Sequence, residues 1–295
     1  NYEKISCYNE EVIRTLFVWP LAFLFAFLTA SAQVENAVSF STAVPLQGST
    51  VVATVSDKNL VIVSAAFDGK PIPFFLYRGR YRAVFGIPVA MRPGLYDFSI
   101  QFKNGGRFQQ KIKVRSRKFP VVALDIPKEL DLTPKTLVAK LAIEKVKLQE
   151  IVEQQTPTVF FDKPFGLPLI DNRTISGPFG EIRKTGQETI RHLGTDFLAP
   201  AGSPVAAING GIVRKAYVDQ VYGKTVIIDH GGGIFSLYLH LRDILAREGQ
   251  RVGKGTLIGT VGKTGYATEP HLHLSVKVGG VSVDPIRFVI AFLAP

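Results

Sequence analysis

A mainly β chain is what the sequence predicts: an N-terminal β domain, a helical linker and a C-terminal antiparallel β-sheet domain. Three observations carry this. Short runs rich in Val, Ile, Thr and Phe recur on both sides of the chain's centre, Gly, Asn and Asp pairs punctuate them, and only one stretch beyond residue 32 keeps helical spacing over several turns.

Arg14 precedes an apolar run from Leu16 to Leu28, and Thr29-Ala-Ser-Ala32 then offers a small-residue cleavage site. This predicts a secretory signal peptide over residues 1–32, cut after Ala32. The run is short for a bilayer span, which needs roughly 20 residues, so an uncleaved membrane anchor is the second reading. The expected location is exported: periplasm, cell envelope or outside the cell. The only cysteine, Cys7, precedes the run, so the exported part has no disulfide.

Residues 33–118 form the first β domain. The runs Ser49 to Val55, Leu60 to Phe67, Pro73 to Phe85, Leu95 to Phe102 and Phe108 to Val114 are separated by Asp68-Gly69, Arg78-Gly79, Pro93-Gly94 and Asn104-Gly-Gly106. An immunoglobulin-like β-sandwich is the natural reading. Beyond residue 32 there are 33 basic and 21 acidic side chains, a net charge of +12, and residues 70–118 carry twelve Lys or Arg against Asp97 alone. Such a surface attracts anionic envelope polymers by forces that weaken with salt, or is simply a solvated face. Nucleic acid is not expected, because no recognition motif is present. With no histidine before residue 192, this domain is left binding, spacing or shielding roles.

The linker covers residues 119–172. Thr133-Pro134 starts a helix of about 134–155, in which Leu137, Leu141, Leu148 and Val152 recur near helical spacing. The stretch from Thr156 to Asn172 is too rich in proline for regular structure. It, or the first domain, is expected to cover the active groove, with Asp162, Asp171 or Asn172 near the metal's open position.

In residues 173–295, strands are read at Val205 to Ile212, Thr225 to Asp229, Ile234 to His240, Thr256 to Val261 and Leu272 to Val278, with glycine pairs between them. Four of the five histidines fall here in three clusters: His192-Leu-Gly-Thr-Asp196, Tyr238-Leu-His240 and His271-Leu-His273. Alternation along a strand points His271 and His273 the same way and turns Leu272 into the packed side. His192 and Asp196 are also evenly spaced and are read as one strand or its edge, with Gly194 leaving room between them. Even spacings of His and Asp suit a zinc site, which takes three protein ligands and keeps a fourth position for water. His230, followed by glycines, reads as a structural residue.

These motifs resemble the lysostaphin-like, LytM-type zinc metallopeptidases that cut peptide cross-bridges of bacterial peptidoglycan. The likeness runs from Ile175 to Phe288 through Ser176-Gly-Pro-Phe-Gly180, His192-x-Gly-x-Asp196-Phe, Tyr238-x-His240-Leu and Pro270-His-Leu-His273. The resemblance implies the duplicated hybrid motif fold, one Zn2+ per chain held by His192, Asp196 and His273, and His240 and His271 as the catalytic pair. Such a metal lowers the pKa of bound water towards roughly 7, and histidines beside it suit proton transfer. Glu269 departs from the family, which usually has glycine before Pro270. Phe179-Gly180 and Arg183 match it, yet read as turn and packing residues.

The expected function is an exported zinc metalloendopeptidase acting on peptidoglycan stem peptides or cross-links. The alternative is a catalytically silent wall-binding module or an activator of another wall hydrolase. A third reading, a biotinyl-type carrier using Lys254 or Lys263, conflicts with the histidine set. The loops Gly180 to Arg191 and Arg242 to Gly249 are the candidates for choosing the bond.

Overall fold

The computed structural model describes residues 36–169 and 174–293. The expected signal peptide and Cys7 lie outside the described residues, as do Asp171 and Asn172. No helix among the described residues is long and apolar enough to cross a membrane.

The first unit is two four-stranded antiparallel sheets. In one, the strands follow the order Val38–Phe40, Thr50–Val55, Arg80–Gly86, Phe74–Tyr77; in the other, Lys70–Pro71, Ile62–Phe67, Gly94–Phe102, Arg107–Val114. Their facing side chains, among them Val51, Val55, Phe67, Phe85, Phe98, Phe108 and Ile112, form one buried core. Phe74–Tyr77 and Arg80–Gly86 are joined by Arg78 and Gly79, both at positive φ (50° and 76°). That is the two-residue hairpin turn whose twist matches the strands it joins.

Thr50–Val55 is buried along its whole length because it is covered on both faces. Val51, Ala53 and Val55 face the sandwich core. Val52, with Phe75, Tyr77 and Val84, faces the second unit, joining Val283, Phe288 and Phe292 in a single larger core. Strands covered on both sides read as continuous apolar runs rather than alternating ones, and TVVATV is such a run.

The second unit is built on an eight-stranded sheet. Its main path runs Ile175–Gly177, Thr195–Leu198, His271–Val278, Ile234–Leu241, Gly223–Gly231, Gly211–Asp219, Arg251–Val252, with Val281–Val283 also paired to His271–Val278. Beside it lies a hairpin, Ile182–Thr185 with Glu188–Arg191, whose outer edge takes Val121–Ala123 as a parallel third strand. Part of the linker is therefore sheet.

The linker helix spans Pro134–Glu153. Thr133 caps it, its hydroxyl accepting from the Thr136 amide while the Thr136 hydroxyl accepts from the Thr133 amide. Its apolar stripe docks on the large sheet, Leu148 and Val152 packing with Ile227, Phe235, Leu237 and Leu239. The proline-rich stretch that follows has no regular structure up to Leu169, and Phe161, Phe165 and Leu169 insert into the core behind that sheet. This corrects the expectation that the stretch covers the groove: the side chains of the sheet that it meets, such as Leu272 and Leu274, alternate with the histidines and face away from them.

Candidate metal centre

Strand His271–Val278 supplies the base of the site. His271 and His273 share a face, while Leu272 and Leu274 lie in the core. The neighbouring strand Thr195–Leu198 places Asp196 directly opposite His273.

His192 is not on that strand, contrary to the expectation of one shared strand. It sits just past Glu188–Arg191, its amide bonded to the Glu181 carbonyl, and the chain turns through Leu193 and Gly194 before Thr195. Spacing alone could not separate these, since a short turn also carries an even interval. Gly194 passes so close to His273 that a Cβ there would lie 2.3 Å from Nε2 and 2.7 Å from the Leu274 carbonyl oxygen.

His240 breaks the alternation of its own strand. Leu237 and Leu239 face the linker helix, and Tyr238 and Leu241 face the opposite core, so strict alternation would bury His240 with Tyr238. A left-handed backbone at His240, φ 62°, together with a bulge in the pairing to Gly223–Gly231, turns the ring back to the metal side. Its centroid lies 4.9 Å from that of His271 and 5.9 Å from that of His273.

The hydrogen bonds fix which nitrogens point inward. His192 Nδ1 is 3.0 Å from the Pro178 carbonyl, an acceptor only, so it donates and leaves a lone pair on Nε2. Ser275 spends its hydroxyl proton on the Leu193 carbonyl, so it accepts from His273 Nε2 at 2.9 Å and leaves a lone pair on Nδ1. His192 Nε2, His273 Nδ1 and Asp196 Oδ1 then converge, at 2.9, 3.0 and 2.8 Å from one another. With both imidazoles neutral, three buried electron-pair donors face one another, an arrangement that a metal cation satisfies. Two imidazoles and one carboxylate are a zinc donor set, and among the described residues this trio forms a metal-binding group. The resident metal is Zn2+.

The surroundings favour the metal-binding protonation states of His273 and Asp196. Burial lowers His273 to about 4, against help for its charged form from Asp196. Burial, then the charges of His271 and His273, hold His240 well below its ordinary range. Asp196 is held well below the carboxylate range: burial works against this, and the His192 and His273 rings outweigh it. His240 Nδ1 and His271 Nδ1 donate to the Thr264 and Glu269 carbonyls, each at 2.8 Å, which leaves the Nε2 lone pair of each neutral ring to the site, that of His271 lying 3.7 Å from Asp196 Oδ1.

Arg183, read from sequence as a packing residue, reaches Asp196 Oδ2 at 2.5 Å and Glu181 Oε1 at 2.9 Å. It ties down the carboxylate oxygen that does not face the histidines, an arrangement that orients a metal ligand. The signal was available in Phe179-Gly-x-x-Arg183, but nothing in the sequence showed that this hairpin folds over Asp196. His230 stands apart, its ring fully buried between the Gly210 carbonyl at 2.7 Å and Ser236 Oγ at 2.8 Å.

The site opens into a cleft of about 410 Å³ bounded by His192, His240 and His273 on one side, the linker helix at Leu141, Lys145 and Leu148 on another, and Pro88 to Ala90 of the first unit. A second hollow of about 230 Å³, lined by Asp196, His271, Tyr266, Glu269 and Val122 to Leu124, lies beside it.

Residues 190–285 match the model of Peptidase family M23. These residues are an M23 domain. Its metal trio and both further histidines all fall inside the matched span. Similar relatives include the peptidoglycan DD-endopeptidase ShyC of Vibrio cholerae, 40% identical over 126 residues, covering 42% of this chain and 29% of the relative. The DD-carboxypeptidase/endopeptidase Mpg of Neisseria meningitidis is 40% identical over 124 residues, 42% of this chain and 28% of the relative. The chain thus spans under a third of the length of these relatives. A solved Pseudomonas aeruginosa chain titled for peptidase M23 has a TM-score of 0.58 at 28% identity, covering 89% of this chain and all of that one, so its likeness extends well beyond the M23 domain.

Proposed function

We propose that the protein is an exported zinc metalloendopeptidase that hydrolyses peptide bonds in peptidoglycan stem peptides or cross-links. The observation that carries this reading is the convergence of ligand atoms from His192, Asp196 and His273, with two further histidines whose Nδ1 atoms are tied to backbone carbonyls and whose Nε2 atoms are left to the site. The DD-endopeptidase relatives support the substrate class.

His192 Nε2, Asp196 Oδ1 and His273 Nδ1 would hold the zinc. When bound it supplies Lewis acidity towards a peptide carbonyl and towards water. His240 and His271 do the proton work. Each has Nδ1–H fixed on a backbone carbonyl, so Nε2 is the atom that accepts a proton, and its conjugate acid returns one to the leaving amine. Burial keeps the His240 ring unprotonated at neutral pH, so its Nε2 lone pair is available. Arg183 holds the Asp196 carboxylate in its orientation through Oδ2.

The test is digestion of purified peptidoglycan of known cross-link chemistry, with His273→Ala as control and metal analysis of both proteins. About one zinc per chain and new peptide ends that the control lacks are the expected result. Zinc without cleavage would favour the silent wall-binding or activator reading.

A further inference from the structure

Strand His271–Val278 continues past the site, and its metal-side face carries His271, His273, Ser275 and then Lys277. Lys277 is only 8% exposed. Lysine is rarely buried so far without a carboxylate. Among the described residues Lys277 has none within ion-pair distance: its ammonium makes one hydrogen bond, to Ser282 Oγ at 3.3 Å. Lys145 of the linker helix lines the same cleft and also lacks a carboxylate partner. The nearby acid Glu144 is turned into the helix packing, where it pairs with Lys147. The whole cleft is walled by four Lys or Arg side chains, Lys145, Arg183, Arg191 and Lys277, and by no Asp or Glu. Burial, then the charge of Lys145, lower Lys277 to about 8, so it stays mostly protonated at pH 7. A buried ammonium without a carboxylate, with a second ammonium close enough to repel it across the same cleft, is a cost that an anion bound there removes.

We propose that Lys277 and Lys145 form a carboxylate-binding subsite that seats a free carboxylate of the substrate peptide. The subsite lies four residues along the strand from His273, about 13 Å at the rise of an extended chain, which is some four residues of an extended peptide from the metal. Wall stem peptides, with free carboxylates along and at the end of the chain, are substrates of this chemistry; oligoglycine bridges are not. The assignment rests on the peptidase reading of the same cleft, and it deepens that reading by naming what the cleft selects.

The test uses the zinc-loaded full chain, a cross-linked stem-peptide dimer and the same dimer with its free carboxylates amidated. Affinity is measured by calorimetry, and kcat and KM by product analysis. Wild type is expected to bind the acid form roughly tenfold more tightly than the amide. Lys277→Met and Lys145→Gln should each reduce that preference, through KM, with zinc content and kcat retained. Lys145 is exposed, so its variant folds whatever the buried position tolerates. Equal binding of acid and amide by wild type, or an undiminished preference in both variants, overturns the subsite. Cleavage without acid preference removes the subsite and leaves the peptidase. Acid-selective, Lys277-dependent binding without cleavage does the reverse. Neither binding nor cleavage removes both.

Discussion

Asp196 is gripped from two sides, by the histidines at Oδ1 and by Arg183 at Oδ2. Replacing Arg183 with Gln frees one carboxylate oxygen and should weaken zinc binding by roughly 10- to 100-fold, measured by competition with a chromogenic chelator. An unchanged affinity would reduce Arg183 to packing. Gly194→Ala should be as damaging without removing any polar atom. The added methyl meets the His273 ring and the Leu274 carbonyl, so the ring must move, and metal content read by elemental analysis should fall. His230 gives a signature of a different kind. Burial lowers it from its ordinary value of 6.5 to about 4. The unfolded chain therefore binds more protons between those values, and the stability held above about pH 6.5 is lost as pH falls towards about 4, by up to roughly 1.4 kcal/mol per unit. Urea midpoints against pH should show this, with a shallower fall in His230→Gln; equal slopes would refute it. The pairs His271/His273 and His192/Asp196 were legible because motif and spacing survive any fold that joins the strands. The inward turn of His240 was not, since it comes from a backbone angle that overrides period 2, and Arg183 was not, since its partner is on another element.

The linker helix illustrates the same division one level up. Its start was legible in Thr133-Pro134 and its stripe in Leu137, Leu148 and Val152, because capping and periodicity are local. Its docking site was not, because Phe235, Leu237 and Leu239 look like any apolar strand until the sheet order is known. The helix, rather than the proline-rich stretch, walls the cleft. Leu148→Ala should cost about 2–5 kcal/mol, read from denaturant unfolding, if the helix belongs to the domain's core. A cost near zero would show a helix that detaches freely. The glycine-punctuated hairpins of the first unit were readable for the same local reason, Arg78-Gly79 being a turn in sequence and in structure.

At the scale of the molecule, the two units share one core through Val52, Tyr77 and Val84 against Val283, Phe288 and Phe292, and the ion pair of Arg117 with Asp284 at 2.8 Å lies between them. Calorimetry of the full chain should therefore show a single unfolding transition, which moves down when zinc is chelated. Two separate transitions, only one of them responding to the chelator, would contradict a shared core. That the chain is mainly β could be read from composition and periodicity. The joint could not, because an apolar strand does not announce whether its second face meets a sheet or another unit.

That joint also sets an order of events during synthesis. Strand Thr50–Val55 and helix Pro285–Leu293 touch across nearly the whole described sequence. While the chain emerges from a ribosome, the first unit can close its own sandwich, but its Val52, Phe75 and Tyr77 face has nothing to meet until residues 285–293 arrive. Contacts of such long separation form late, and the waiting apolar face is the surface through which a half-made chain would aggregate or recruit a chaperone.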